Sequence, residues 1–241
     1  MGAERKVVVI TGASQGIGAG LVKRYRAAGW RVVANSRSIR PDAFGGDPDV
    51  LAVDGDIGDA ATADHIAQVA VEGFGRIDSL VNNAGVFIGK PFTEYSEADF
   101  RLKLAVNVAG FFYITQRVIA QLLRQGSGGH IANITTSIVD QPMVGVPAVL
   151  ASLTKGAVDA ATRSLAIEYA DRGIRVNAVS PGIIKTPMHP EETRAALAGL
   201  HPMKRMGTIE EVVEAVLYLE GAAFVTGETL HVDGGQHAGR W

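Results

Sequence analysis

The chain contains no cysteine among its 241 residues, which excludes disulfides and thiolate metal sites. Its six histidines are scattered, and no pair of them has the spacing of metal ligands on a helix, so the sequence predicts no protein-bound metal. An excess of one charge sign is also missing, because the formal net charge is −2 and no run of Lys or Arg stands out. We therefore expect no nucleic-acid partner, since proteins that bind nucleic acids carry a basic surface.

Long hydrophobic runs are missing as well. The apolar run at residues 7–10 is far shorter than a membrane span, and residues 1–6 are too short and polar for a signal peptide. Lys6 also breaks the N-myristoylation pattern. These observations predict no membrane contact and a cytoplasmic protein. The chain length and the hydrophobic fraction of 47% fit one domain, residues 1–241, with a large buried core.

Strand and helix signals alternate along the chain, which predicts an α/β fold with a doubly wound parallel sheet covered by helices on both faces. The seven predicted strands lie near residues 6–10, 31–35, 50–53, 77–82, 130–135, 175–179 and 230–232. The predicted helices lie near residues 16–28, 60–72, 97–125, 149–171 and 209–220. Two prolines and two glycines break residues 38–49, which we interpret as a loop.

A glycine-rich turn separates the first predicted strand from the first predicted helix. Residues 11–18 read Thr-Gly-Ala-Ser-Gln-Gly-Ile-Gly. Such a turn lets the backbone approach a pyrophosphate, whose charge the N–H groups at the helix N-terminus then face. An ordinary strand-to-helix turn can carry the same glycines, so the segment alone is a weak signal. The residues predicted here to bind a dinucleotide are Gly12, Ser14, Gln15, Gly16, Ile17 and Gly18.

Further polar and glycine-containing segments follow predicted strands, at the carboxyl ends where ligands bind in open α/β sheets. They are residues 82–85, 133–137 and 180–186, while Asn107 and Lys155 lie in predicted helices. Together with the glycine-rich turn and residues 226–227 and 232–235, these segments resemble the short-chain dehydrogenase/reductase family over essentially the whole chain. The resemblance implies a single Rossmann-type sheet and hydride transfer between a nicotinamide cofactor and a small-molecule carbonyl or alcohol substrate.

The resemblance also implies cofactor contacts beyond the glycine-rich turn. Near the adenosine it places Asp56, Ile57, Asn83, Ala84 and Gly85, and at the nicotinamide Pro181, Gly182, Ile184 and Thr186. Asp56 has a second interpretation, as an acid at the start of the following helix, because Asp59 lies three residues further on.

The end of the second predicted strand bears on the choice between NADP and NAD. Family members that prefer NAD place an acid there for the ribose 2′-hydroxyl, whereas NADP enzymes offer arginine to the 2′-phosphate. This chain has Ser36 followed by Arg37, and a guanidinium binds phosphate in a bidentate manner. The sequence therefore favours NADP over NAD, although Arg37 could also be a solvated surface charge.

The family's catalytic signature, Tyr-x-x-x-Lys, is incomplete in this chain. Residues 151–155 read Ala-Ser-Leu-Thr-Lys, so Ala151 stands at the tyrosine position. None of the chain's five tyrosines has a lysine four residues later, and no shifted register restores the motif. The chain resembles a variant of the family that lacks its catalytic tyrosine.

Four residues remain as catalytic candidates by the same resemblance: Asn107, Thr136, Ser137 and Lys155. The family serine falls on Thr136, with Ser137 beside it. Because strand residues alternate between faces, we expect only one of the two to point into the site, and we favour Thr136. The alternative is that Thr136 has no catalytic role and is present because a β-branched residue suits the end of a strand.

The proton could reach the substrate by two routes. Thr136 could polarise the carbonyl while a water ordered by Lys155 supplies the proton, or another side chain could replace the phenol. The candidates on segments expected to border the substrate are Lys90, Asp140, Gln141, His189 and His201. The alternative function is that of a catalytically silent NADP(H)-binding protein, a sensor or scaffold. The resemblance also implies a homotetramer that pairs through the helices predicted at residues 97–125 and 149–171.

Overall fold

The computed structural model of the chain describes residues 5–239. The ends of the predicted domain, residues 1–4 and 240–241, lie outside the described residues, as does most of the segment on which the signal-peptide expectation rests. The seven strands are β1 (Val7–Thr11), β2 (Arg31–Ser36), β3 (Val50–Asp54), β4 (Ser79–Asn82), β5 (Gly129–Ile134), β6 (Ile174–Pro181) and β7 (Thr229–Val232). The α-helices are α1 (Gly16–Ala27), α2 (Ala60–Phe74), α3 (Glu97–Leu104), α4 (Gly110–Gln125), α5 (Val149–Tyr169), α6 (Arg194–Ala198) and α7 (Ile209–Gly221).

The seven strands form one parallel sheet in the order β3-β2-β1-β4-β5-β6-β7. This arrangement confirms the predicted doubly wound sheet with helices on both faces. The order reverses between β1 and β4, and at such a switch point the loops leave the sheet in opposite directions and open a cleft. The carboxyl ends of β1 and β4 therefore position the candidate site.

The valine and isoleucine run of β1 is buried because both faces of the sheet are covered. Val7 and Val9 belong to one hydrophobic cluster, which α2, α4 and α5 complete. Val8 and Ile10 point to the other face and pack with α1 and α7. Since side chains alternate along a strand, a continuous apolar run is what a central parallel strand requires.

The predicted helix at residues 97–125 is confirmed, but a π-helical segment interrupts its α-helical geometry, which the sequence did not predict. The chain forms α3, then a π-helical segment at Ala105–Ala109, then α4. Insertions of this kind occur often at functional sites because the extra residue redirects a side chain. Asn107 lies within the segment, so the interruption sets the position of a predicted site residue.

Two helix starts follow the sequence closely. Ser96 and Asp99 form a capping box at the start of α3, and Thr208 and Glu211 form one at the start of α7. In each box the side chains satisfy two N–H groups that the helix itself leaves unpaired. Within residues 5–239, no helix combines the length and the apolar character needed to cross a membrane.

Candidate active site

A cavity of about 540 Å³ opens at the carboxyl edge of the sheet, a volume suited to a bound small molecule. Of the predicted site residues, all but Gly18 and Ser137 line it. The lining includes Gly12, Ser14, Gln15, Gly16, Ile17, Ser36, Arg37, Asp56, Ile57, Asn83, Ala84, Gly85, Asn107, Thr136, Lys155, Pro181, Gly182, Ile184 and Thr186. The fold thus brings segments from opposite ends of the chain into one site.

The glycine-rich turn forms a cradle that larger residues could not form. Gly12 and Gly16 have φ angles of +64° and +57°, in the left-handed region that favours glycine. A Cβ on Gly18 would lie 2.1 Å from the Gly12 carbonyl oxygen, so Gly18 allows α1 to pack closely against the turn. The first turn of α1 contains no acidic residue, which leaves its N-terminus suited to an anion.

Asn83 joins the end of β4 to this turn. Its Nδ2 donates to the carbonyl oxygens of Thr11 at 2.9 Å and Gly12 at 3.1 Å. In return, Thr11 Oγ1 accepts from the backbone N–H groups of Asn83 and Ala84 at 3.1 and 3.0 Å. Hydrogen bonds between the ends of β1 and β4 therefore fix the shape of the cradle.

The cavity end beyond β2 carries Ser36 and Arg37. The Ser36 hydroxyl oxygen is buried and has no hydrogen-bond partner within the described part of the chain, and the residue lines the cavity. Arg37 is exposed and borders the cavity. A guanidinium is a group that can bind phosphate through two hydrogen bonds.

Asp56 and Asp59 have different roles at the start of α2. Asp59 occupies the N-cap of α2, where its side chain accepts from Ala61 N–H at 3.0 Å. Asp56 accepts from Gly58 N–H at 2.9 Å and lines the cavity. The acid that caps the helix is therefore Asp59, and Asp56 is placed where a ligand can meet it.

At the other end of the cavity, Lys155 and Asn107 meet the backbone that follows β4. A Cβ on Gly85 would lie 3.3 Å from Lys155 Nζ and 3.5 Å from Asn107 Oδ1, so glycine leaves room for both side chains. Asn107 Oδ1 accepts from Val86 N–H at 2.9 Å, and its Nδ2 donates to Val86 O at 3.2 Å and to Thr154 Oγ1 at 3.1 Å. These bonds fix the π-helical segment against both the loop and α5.

Lys155 has an unusual titration environment. Its Nζ donates to the Ile134 carbonyl oxygen at 2.6 Å, at the end of β5. Burial disfavours the ammonium and the nearby charge of Lys103 repels it, so the pKa of Lys155 falls to about 8. A lysine with this pKa can exchange protons near neutral pH.

Thr136 and Ser137 lie beyond the end of β5, and Ser137 begins a 3₁₀ turn, so the alternation expected of a strand does not apply to them. Thr136 lines the cavity. Ser137 is fully buried, and its hydroxyl donates to the Pro181 carbonyl oxygen at 3.4 Å. Of the two candidates, Thr136 is the one that a substrate in the cavity can reach. Ala151 also lines the cavity and packs with Ile138.

Of the five proton-donor candidates, only His189 lies among the residues of the described chain that line the cavity. Lys90 pairs with Asp99 at 2.7 Å, and Asp140 Oδ2 lies 3.0 Å from His231 Nε2. His201 is buried, and its Nε2 accepts from Ile183 N–H at 3.0 Å. Gln141 does not line the cavity either. Burial, with some repulsion from Arg194, lowers the pKa of His189, so this ring is neutral at physiological pH.

Lys103 borders the cavity and was not foreseen from the sequence. It is 0% exposed, and its Nζ donates to the Val86 carbonyl oxygen at 2.7 Å. Burial lowers the pKa of Lys103 to about 8. The ammonium groups of the two lysines therefore contact neighbouring residues of the loop that follows β4. Lys155 lies beside Gly85, and Lys103 binds the carbonyl oxygen of Val86.

A family model described as enoyl-(acyl carrier protein) reductase matches residues 12–237. Over 250 residues the chain is 38% identical to 3beta-hydroxysteroid dehydrogenase 1 of Eggerthella lenta, with 95% of this chain and 93% of that protein covered. The chain belongs to the short-chain dehydrogenase/reductase family. Membership makes it an oxidoreductase that uses a nicotinamide dinucleotide.

Two solved structures of other proteins match the fold closely. ElxO with NADP bound has a TM-score of 0.91 and 29% identity, with 98% of this chain and 100% of that chain covered. A 3-ketoacyl-(acyl-carrier-protein) reductase from Brucella melitensis complexed with NADH has a TM-score of 0.89 and 31% identity, with 97% and 99% covered. Proteins of this shape thus bind either dinucleotide, and the preference depends on local residues.

Proposed function

We propose that this short-chain dehydrogenase/reductase interconverts a carbonyl and a secondary alcohol of a small molecule with NADP(H), by a proton path that uses no tyrosine. The observation that carries the proposal is one cavity that joins the glycine-rich cradle to Lys155, Asn107 and Thr136, with Ala151 at the tyrosine position. A protein that only senses the dinucleotide has little use for these three polar groups at the far end of the cavity.

The chain's own residues suit the dinucleotide at each end. The cradle and the N-terminus of α1 would hold the pyrophosphate, and Ser36 with Arg37 would hold the 2′-phosphate. Pro181, Gly182, Ile184 and Thr186 would fix the face of the nicotinamide. When bound, this cofactor supplies or accepts the hydride.

Thr136 and Lys155 would handle the substrate oxygen. The Thr136 hydroxyl would donate to the carbonyl oxygen and polarise it as negative charge develops there. Lys155 would hold the ribose and order a water, and its lowered pKa makes a proton available near neutral pH. Asn107 keeps this end rigid through its bonds to Val86 and Thr154.

The experiment is a steady-state screen of ketones, diketones and secondary alcohols with NADPH and NADP⁺. We expect measurable turnover by the wild-type protein and its loss in Lys155→Met. If no compound in the panel supports NADPH oxidation or NADP⁺ reduction, while titration shows that the dinucleotide binds, then the silent sensor or scaffold is the correct function.

We further propose that the protein is a homotetramer that pairs through α4 and α5. Large apolar side chains stay exposed on these helices, at 54% for Phe112, 48% for Leu153 and 81% for Ile167. A surface of this kind is typical of a contact between subunits. Sedimentation at micromolar concentration should give a mass of four chains, and a monomer would reject the proposal. A cytoplasmic location remains a prediction from the sequence.

A further inference from the structure

We propose that Lys103 is a catalytic residue of this chain, whose ammonium delivers the proton to the substrate's carbonyl oxygen at the end of the cavity that Ala151 also lines. The inference deepens the proposed function and rests on it, since it names the proton donor of the tyrosine-free path. Lys103 is conspicuous because it is one of the largest fully buried side chains in the described chain and yet carries an ionisable group.

A chain of hydrogen bonds through Val86 links Lys103 to the first two turns of α5. Lys103 Nζ and Asn107 Nδ2 donate to the same Val86 carbonyl oxygen, at 2.7 and 3.2 Å. Asn107 Nδ2 also donates to Thr154 Oγ1, which in turn donates to the Leu150 carbonyl oxygen at 2.7 Å. The ammonium is thus connected through two side chains to the helical turn that carries Ala151.

The electrostatics of this cavity end favour a negative charge on the substrate oxygen. Among the described residues that line the cavity, Asp56 is the only acidic one, and it lies near the adenosine end predicted from the sequence. Lys103 and Lys155 therefore face the substrate end with no carboxylate to pair with, and they repel each other. An alkoxide that forms between them relieves this repulsion, which stabilises the transition state more than the ground state.

The hydrogen-bonding capacity of Lys103 suits proton donation. An ammonium has three N–H donors, and the contact with Val86 uses one of them. Burial places the pKa of Lys103 at about 8, near the operating pH at which an acid works best. The Phe87 ring, with its centroid 5.6 Å from Nζ, helps to shield the group from solvent.

Carbonyl reduction by this route transfers one hydride to carbon and one proton to oxygen. The carbonyl carbon gains a hydride, with its electron pair, from the reduced dinucleotide, and the C=O π pair moves to oxygen. That oxygen gains a proton from Lys103 Nζ, which becomes a neutral amine. After the alcohol leaves, the amine takes a proton from water that enters the cavity. The net change is carbonyl plus NADPH plus H⁺ to alcohol plus NADP⁺.

The test compares Lys103→Met and Lys103→Arg with the wild type in the full chain. Methionine keeps the length and apolar stem of the side chain, whereas arginine keeps the charge but does not release its proton. We expect both variants to lower kcat for carbonyl reduction ~10²–10⁴-fold while NADPH affinity, measured by fluorescence titration, stays within about twofold. Arg101→Met, on the exposed face of the same helix, should leave both quantities unchanged.

The pH dependence provides a second readout. Reduction needs protonated Lys103, so wild-type kcat should hold at low pH and fall as the pH rises through about 8. The other titratable or charged groups lining the described cavity are Arg37, Asp56, Lys155 and His189. In Lys103→Met the charge that lowers the pKa of Lys155 is gone, so the pKa of Lys155 should rise. The residual kcat of this variant should therefore decline at a higher pH than the wild-type kcat.

A third readout does not depend on turnover. In protein with ¹³Cε-labelled lysine, two NMR signals should titrate near pH 8, those of Lys103 and Lys155, and one of the two should be absent from Lys103→Met. If the signal that disappears in Lys103→Met has the ordinary lysine pKa, or if this variant keeps the wild-type kcat and pH profile, then the role of Lys103 alone is overturned. A wild-type protein that turns over no carbonyl or alcohol overturns the proposed function, and the role of Lys103 with it.

Discussion

Replacing Ala151 with tyrosine in a Lys103→Met background is expected to raise carbonyl reduction ~10²–10⁴-fold, because a positioned general acid contributes about that much. Residue 151 lies four positions before Lys155, hence on the same face of α5, and a helix accepts tyrosine at a modest cost in propensity. The measurement is steady-state NADPH oxidation with a simple diketone or ketone.

Phenylalanine at the same position is the matched control, since it has the bulk of the ring without the hydroxyl. We expect Ala151→Phe in the Lys103→Met background to stay as slow as Lys103→Met itself. With Lys103 present, the tyrosine should give no such gain, because the donor is already supplied. If the Tyr and Phe variants behave identically while NADPH binding is intact, then the site lacks more than an acid.

NADPH is expected to bind about ten- to hundredfold more tightly than NADH, and Arg37→Ala should remove most of this preference. One charge-assisted contact with the 2′-phosphate contributes ~1.5–3 kcal/mol, which corresponds to that ratio. Ser36→Asp should reverse the preference, since a carboxylate repels the phosphate and accepts from a ribose hydroxyl. Fluorescence titration of each variant with both dinucleotides gives the ratio.

Arg40→Ala is the control for the loss of a positive charge near the end of β2. Its side chain is 81% exposed, pairs loosely with Asp42 and does not line the cavity. The ratio of the two affinities should be unchanged in this variant. Equal binding of NADPH and NADH by the wild type, or an Arg37→Ala variant that keeps the preference, would remove Arg37 from the site.

The parts of the fold that follow from local sequence could be predicted. The run Val7–Ile10 followed by the glycine-rich turn needs no distant information, because both the buried strand and the left-handed glycines are properties of a few neighbouring residues. The capping box of Ser96 and Asp99 is a local feature of the same kind, since two residues three positions apart form it. Most of the predicted site residues border the cavity because the carboxyl ends of parallel strands meet at one edge of a sheet.

The features that were missed depend on packing between distant segments. The π-helical segment around Asn107 has no repeat that distinguishes it from the flanking helices. Lys103 sits in α3 between charged and apolar neighbours, a pattern typical of a solvated helix face. Its burial arises from the loop after β4, whose Val86 carbonyl accepts from it. The sequence indicated only that another proton donor was needed, because the family tyrosine is missing, and it did not indicate which residue supplies the proton.

The position of His201 could not be predicted for the same reason, because it depends on packing between distant segments. A histidine in a variable segment near the substrate suggested a proton donor, but its imidazole packs beneath Gly182, where a Cβ would lie 2.7 Å from Nε2. The bond from Ile183 N–H occupies that nitrogen. Whether a histidine faces the cavity or supports its floor depends on how the segment folds back over β6, which the local sequence does not encode.

Transfer of deuterium from NADPH labelled at nicotinamide C4 tests whether redox chemistry occurs without a tyrosine. The wild-type protein is incubated with labelled cofactor and a carbonyl panel, and each alcohol is analysed by mass spectrometry. We expect deuterium on the carbinol carbon with the wild-type protein and at least a hundredfold less with Lys103→Met. Absence of label from every alcohol, with NADPH bound at saturation, would contradict oxidoreductase activity in this chain.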